Sequence, residues 1–200
     1  MRMLFAAAVA AAVTVSATAP AVAQEPATPA AASATRDGVT LPATTTAEGH
    51  TLVLNGLGLR KKAIFKVYVA GLYLPARSAD AAAILAADQP RRIVLQFLRG
   101  VSQDQMCDAM YDGLEKNTPD HTPELKAKFD DFCSMMVKIE KGEQFVFTYL
   151  PGTGTVIEAK GERKGVIEGK DFADALFASW LGPKPGPGEG TKKDLLGARL

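Results

Sequence analysis

Histidine, cysteine and tryptophan are scarce here: two, two and one in 200 residues. His50 and His121 stand alone, without the clustered ligands that a metal site needs. Neither Cys107 nor Cys133 belongs to a C-x-x-C pair, which removes the common redox and zinc arrangements. No G-x-S-x-G occurs, so nothing supports a hydrolase built on a nucleophile elbow. Gly56-x-Gly58 lacks the third glycine of a dinucleotide fingerprint and leads into a strand pattern, not a helix. No cofactor is implied. Charge of one sign is missing too, with 23 Lys and Arg against 22 Asp and Glu. Such a balance leaves no electrostatic footprint for nucleic acid and does not favour an anionic membrane surface. Beyond the N-terminus there is no long apolar run, so the mature chain is expected to carry no transmembrane segment.

What is present begins with a leader. Met1-Arg2 is a basic start, residues 4–15 are apolar, and Ala21-Val22-Ala23 is a small-x-small site ahead of Gln24. A membrane span needs about 20 apolar residues, so the run reads as a signal peptide over 1–23. A periplasmic or secreted protein follows. Residues 24–38, rich in Ala, Pro, Ser and Thr, are expected to be a flexible linker. The remaining 39–200 suffice for one domain with a sizeable core. In an oxidising compartment Cys107 and Cys133 could form a disulfide or stay as two buried thiols; sequence does not place their Cα atoms. A bonded loop of ~26 residues would stabilise by about 3–4 kcal/mol in the chain-entropy model.

The chain is organised around Leu54-Asn55-Gly56-Leu57-Gly58-Leu59-Arg60 and the β-branched and aromatic run Ile64-Phe65-Lys66-Val67-Tyr68-Val69-Ala70-Gly71-Leu72-Tyr73-Leu74-Pro75. These read as two strands joined by a tight turn. Alternation puts Lys66, Tyr68, Ala70, Leu72 and Leu74 on one face, and Phe65, Val67, Val69, Gly71 and Tyr73 on the other. Both faces are mainly apolar, which marks a central strand. Further strands are expected over 91–98, 144–150, 155–160 and 165–168. A short Ala-rich helix follows Ser78 as N-cap. Ser102-x-x-Gln105 has capping-box spacing, and Thr122-Pro123 reads as an N-cap with proline at the first helical position. These start a helical hairpin whose apolar stripes include Met106, Met110, Phe129 and Phe132, continuing to Met136 and Val137. Helices at 171–181, closed by Gly182, and 192–200 complete the chain. Strands outnumber helices and connections are short, so the class is α+β, an antiparallel sheet covered by a layer of helices.

The G-L-G-L-R pattern ending at Arg60, followed by F-K-V-Y-V-A-G-L-Y-L, resembles the bacterial branch of the chalcone isomerase-like family. The tail F-A-D-A-L-F-A-S-W-L-G over 172–182, with Leu195-Leu196-Gly197, looks like the end of the same domain. The resemblance implies an open-faced β-sandwich with a ligand cleft between sheet and helices. It also implies that Arg60 lies in that cleft and contacts the ligand. Tyr68 matches a threonine of plant chalcone isomerases and a tyrosine of fatty-acid-binding relatives, where it and the arginine hold a carboxylate. The helix tyrosine and asparagine of the true isomerases fall on Met106 and Gly113. A thioether cannot orient a phenolate by hydrogen bonding and glycine has no side chain. Tyr111 is the nearest hydroxyl, but it lies five residues from Met106, about 140° round the helix.

Three readings follow. The first is a binding protein for a fatty acid or similar amphipathic carboxylate, with Arg60 on the head group, Tyr68 donating to it, and Met106 and Met110 along the tail. The second is an intramolecular lyase closing a chalcone-like phenol, with Arg60 stabilising the phenolate. The third is a structural envelope component whose cleft is filled by side chains. Sequence does not assign an oligomeric state.

Overall fold

Four two-residue hairpin turns fold most of the strands back on one another. At Asp37-Gly38, Glu48-Gly49 and Lys160-Gly161 both central residues have positive φ. That geometry matches the right-handed twist of paired strands, and glycine takes the second position without steric cost. The fourth turn, Ala63-Ile64, has no glycine, although Ala63 has φ 52°. The computed structural model describes residues 33–198. Within them, β1 (Ala34–Arg36) and β2 (Val39–Leu41) make a small hairpin. Strands β3 (Thr44–Ala47), β4 (His50–Lys62), β5 (Phe65–Leu74), β6 (Arg91–Phe97), β7 (Gln144–Leu150), β8 (Gly154–Ala159) and β9 (Glu162–Ile167) form one antiparallel sheet in chain order. Helices α1 (Ala81–Ala86), α2 (Gln103–Asn117), α3 (Pro123–Ser134), α4 (Lys170–Leu181) and α5 (Glu189–Leu195) complete the α+β architecture. None of the described helices is long and apolar enough to cross a membrane.

The expected face division of β5 holds from Tyr68 to Leu74, but Val67, expected on the opposite face, packs against the main core and with Phe65 lines the same cavity as Tyr68, where the pairing with β4 shifts register. Tyr68, Ala70, Leu72 and Leu74 join the main core with α2, α3 and α4, where Phe129, Phe132, Phe147, Phe172 and Trp180 meet. Val69 and Tyr73 belong to a second core, closed by Val39 and Leu41 of the small hairpin. Tyr73 donates its hydroxyl proton to the Pro42 carbonyl, 2.9 Å away. The expected linker over 24–38 therefore needs correction at its end: Ala34–Arg36 is a strand, and Arg36 pairs with Asp194 at 2.7 Å. Paired apolar residues on β2 gave that segment a surface to fold against, which its own composition does not reveal. The expected signal peptide, 1–23, and the rest of that linker lie outside the described residues.

Most helix signals read locally were the operative ones. Ser102 and Gln105 form the capping box of α2, and Thr122 caps α3 with Pro123 at its start. Others differ. Asp80, not Ser78, caps α1: Asp80 Oδ1 accepts from the Ala83 amide at 3.0 Å, while Ser78 Oγ accepts from the Asp80 amide at 3.2 Å, ahead of the helix. α3 stops at Ser134, leaving Met136 beyond it though still buried. The β8–β9 turn falls at Lys160-Gly161, and α5 begins at Glu189. Gly182 has ordinary φ (−67°); a Cβ there would meet Asn117 Oδ1 at 2.4 Å, so crowding accounts for it better than a left-handed cap.

Candidate ligand cavity

Gly56, Gly58 and Arg60 project from the same face of β4. At the first two positions α5 lies directly on the strand. A Cβ on Gly56 would come 2.2 Å from the Asp194 carbonyl oxygen, and one on Gly58 2.7 Å from Thr191 Cγ2. The glycines thus serve a close helix-on-strand contact, not a phosphate loop. Asn55 and Thr191 tie the contact, donating to the Leu195 and Leu59 carbonyls at 2.8 Å each. By Arg60 the helix has given way to the loop before it. There the guanidinium opens onto a cavity of about 600 Å³ and donates from Nη1 to the Gly186 carbonyl. Among the described residues no carboxylate forms a salt bridge with it.

Tyr68 is the cross-strand partner of Arg60, so the two side chains share a face. Its ring lies edge-on to Phe97 with centroids 5.5 Å apart, and it is 7% exposed. Its oxygen accepts from Trp180 Nε1 at 3.0 Å. Burial pushes the phenol up to about 12, against the opposing charge of Arg60 and the Trp180 hydrogen bond. It therefore stays protonated at neutral pH, with a proton left to donate. Met106 and Met110, buried on α2, line the same cavity, which brings together all four residues singled out as ligand contacts. Cys107 and Cys133 lie elsewhere on the helical hairpin, joined as a disulfide between α2 and α3 with Cα atoms 5.5 Å apart.

The two positions that depart from the isomerase pattern have different surroundings. Met106 lines the cavity. Gly113 does not line it; it is where α2 touches α4, and a Cβ there would stand 2.2 Å from Ser179 Oγ. Tyr111 turns away and donates to Asp130 of α3. Several lining residues escaped the sequence reading. Trp180 hydrogen-bonds Tyr68 across 112 positions; the one signal was that a buried indole N–H needs an acceptor. Ser179 Oγ is buried with no hydrogen-bond partner among the described residues and also lines the cavity. Lys62, Phe65 and Arg99 stand at its mouth. Gly186 acts through its carbonyl, which no side-chain pattern announces. No group of three His, Cys, Asp or Glu converges among the described residues.

A meandering antiparallel sheet with a helical layer and a cavity between them defines an α+β protein with an internal small-molecule-sized space. The chalcone isomerase-like family model matches residues 33–197, and the chain belongs to that family. Among solved structures it is similar to a fatty-acid binding protein of Arabidopsis thaliana, AtFAP1. The TM-score is 0.67 at 19% identity, over 82% of this chain and 96% of that one. At that identity the likeness carries the fold alone. No curated protein matches the chain.

Proposed function

We propose that this chain is an exported protein that holds a fatty acid or similar amphipathic carboxylate in the cavity between sheet and helices. The observation that carries this reading is Arg60, a guanidinium opening onto a cavity with an apolar wall and, among the described residues, in no salt bridge with a carboxylate. A guanidinium fork suits a carboxylate, and the Tyr68 hydroxyl supplies a further donor on the same face. Phe97, Met106, Met110 and Trp180 offer the apolar wall for a tail. The volume, about 600 Å³, falls within the roughly 300–1,000 Å³ of small-molecule sites. AtFAP1, which shares the fold, is a fatty-acid binding protein, and that supports the same ligand class here. Export, to the periplasm or beyond, rests on the leader pattern at residues 1–23.

The closed-cleft reading needs a filled interior, and the cavity is open. An intramolecular lyase would have to work with Arg60 and Tyr68, because Met106 offers no O–H or N–H and Gly113 is packed against Ser179. Native mass spectrometry of gently purified protein is expected to show a bound lipid. Arg60→Ala is expected to weaken uptake of added palmitate by about tenfold or more, the scale of a charge-assisted hydrogen bond. Protein that emerges empty and takes up no palmitate overturns the proposal, and turnover of chalcones above buffer would install the lyase in its place.

A further inference from the structure

Among the described residues, only two large apolar side chains are exposed: Ile64 at 86% and Phe65 at 54%. They are adjacent, at the tip of the β4–β5 hairpin. The tip runs past the end of β6, whose last partner on β5 is Tyr68. The three other two-residue hairpin turns among the described residues place a charged residue before glycine; this one places Ala63-Ile64, with Ala63 held at φ 52° where glycine would be at ease. An apolar turn that breaks the pattern of its siblings, and is left in solvent, marks a contact surface.

The charges around it choose the partner. Lys61, Lys62 and Lys66 flank the tip, and Arg99 stacks on the Phe65 ring at 4.8 Å. Two carboxylates near this side are already paired, Asp37 with Lys66 at 2.8 Å and Glu140, beside Gly100, with Lys138 at 2.6 Å. The opposite lip of the cavity, on α2, carries Asp108 and Asp112, the latter paired with Lys116. The mouth therefore has one basic, apolar lip and one acidic lip. The near-zero net charge of the chain conceals this division.

We propose that the Ile64-Phe65 tip docks the cavity mouth onto an anionic lipid surface. Ile64 and Phe65 enter the acyl boundary, Lys61, Lys62 and Arg99 meet the head groups, and the acidic lip stays in water. A second copy of this chain fits less well. Two side chains cannot supply the about 800 Å² per partner of a stable protein interface, and two such tips would oppose like charges. Phe65 also lines the cavity, so an oily cargo could pass between cavity and bilayer along one continuous apolar lip. The docking itself does not depend on which acid the cavity holds.

Flotation with phosphatidylcholine vesicles, with and without about 30% phosphatidylglycerol, tests the proposal. The full chain is expected to float with the anionic vesicles alone and to be released by salt. Ile64→Asp and Lys61→Glu, neither of which lines the cavity, are each expected to weaken flotation by about tenfold. Both should keep palmitate uptake in vesicle-free solution, which separates a docking defect from misfolding or a lost cavity. Three outcomes overturn the proposal: no flotation of the wild type, flotation unchanged in both variants, or a concentration-dependent dimer abolished by Ile64→Asp without vesicle binding.

Discussion

The Tyr68 oxygen accepts a hydrogen bond from the Trp180 N–H and keeps its own proton for a second acceptor, so one buried hydroxyl both anchors α4 and faces the cavity. Its ordinary value is 10.0 and the folded value about 12, because burial disfavours the phenolate. The neutral form is the one the fold prefers. The corresponding stability is whole below pH 10.0 and is lost as pH rises through about 12. Phenolate absorbance followed through an alkaline titration is expected to show Tyr68 ionising near pH 12 and not near 10. Tyr68→Phe should remove that component, and an unchanged titration in the variant would refute the assignment.

Gly113 belongs to the scale of elements. Its missing side chain lets α2 rest on Ser179 of α4. Gly113→Asn, which restores the residue type of the isomerase helix, is expected to push the two helices apart. The cost should be about 1–3 kcal/mol, measured as a lower midpoint in urea unfolding. A variant as stable as the parent would show that the contact relaxes freely. The same change is not expected to create a lyase, because the position faces α4 and not the cavity. The disulfide acts one layer out, holding α2 against α3, and α2 is the helix that brings Met106 and Met110 to the cavity.

At the scale of the whole molecule, a ligand that binds only the folded chain must stabilise it. Palmitate at a free concentration about one hundred times its Kd should contribute about 2.7 kcal/mol. For a chain of this size that is a rise in Tm of about 5–10 °C, readable by differential scanning fluorimetry. No shift with palmitate or shorter fatty acids would remove the carrier reading. Much of the fold was legible along the chain. The alternation of β5, the capping box at Ser102 and the Thr122-Pro123 start are local signals, and neighbouring strands in a meander pair in order, so local reading assembles into the sheet. Arg60 and Tyr68 were legible through the resemblance of one strand pair. Trp180, Ser179 and the Gly186 carbonyl were not, because they reach the cavity from positions more than a hundred residues away. Sequence alone determined the class and the sheet, since both depend on spacing within a few residues, and its resemblance to a family pointed to one polar pair. Tertiary structure alone decided that α5 crowds Gly56 and Gly58, that Arg60 emerges where that crowding ends, and that the one apolar turn stands at the cavity mouth. Those facts depend on distances between segments that no periodicity encodes.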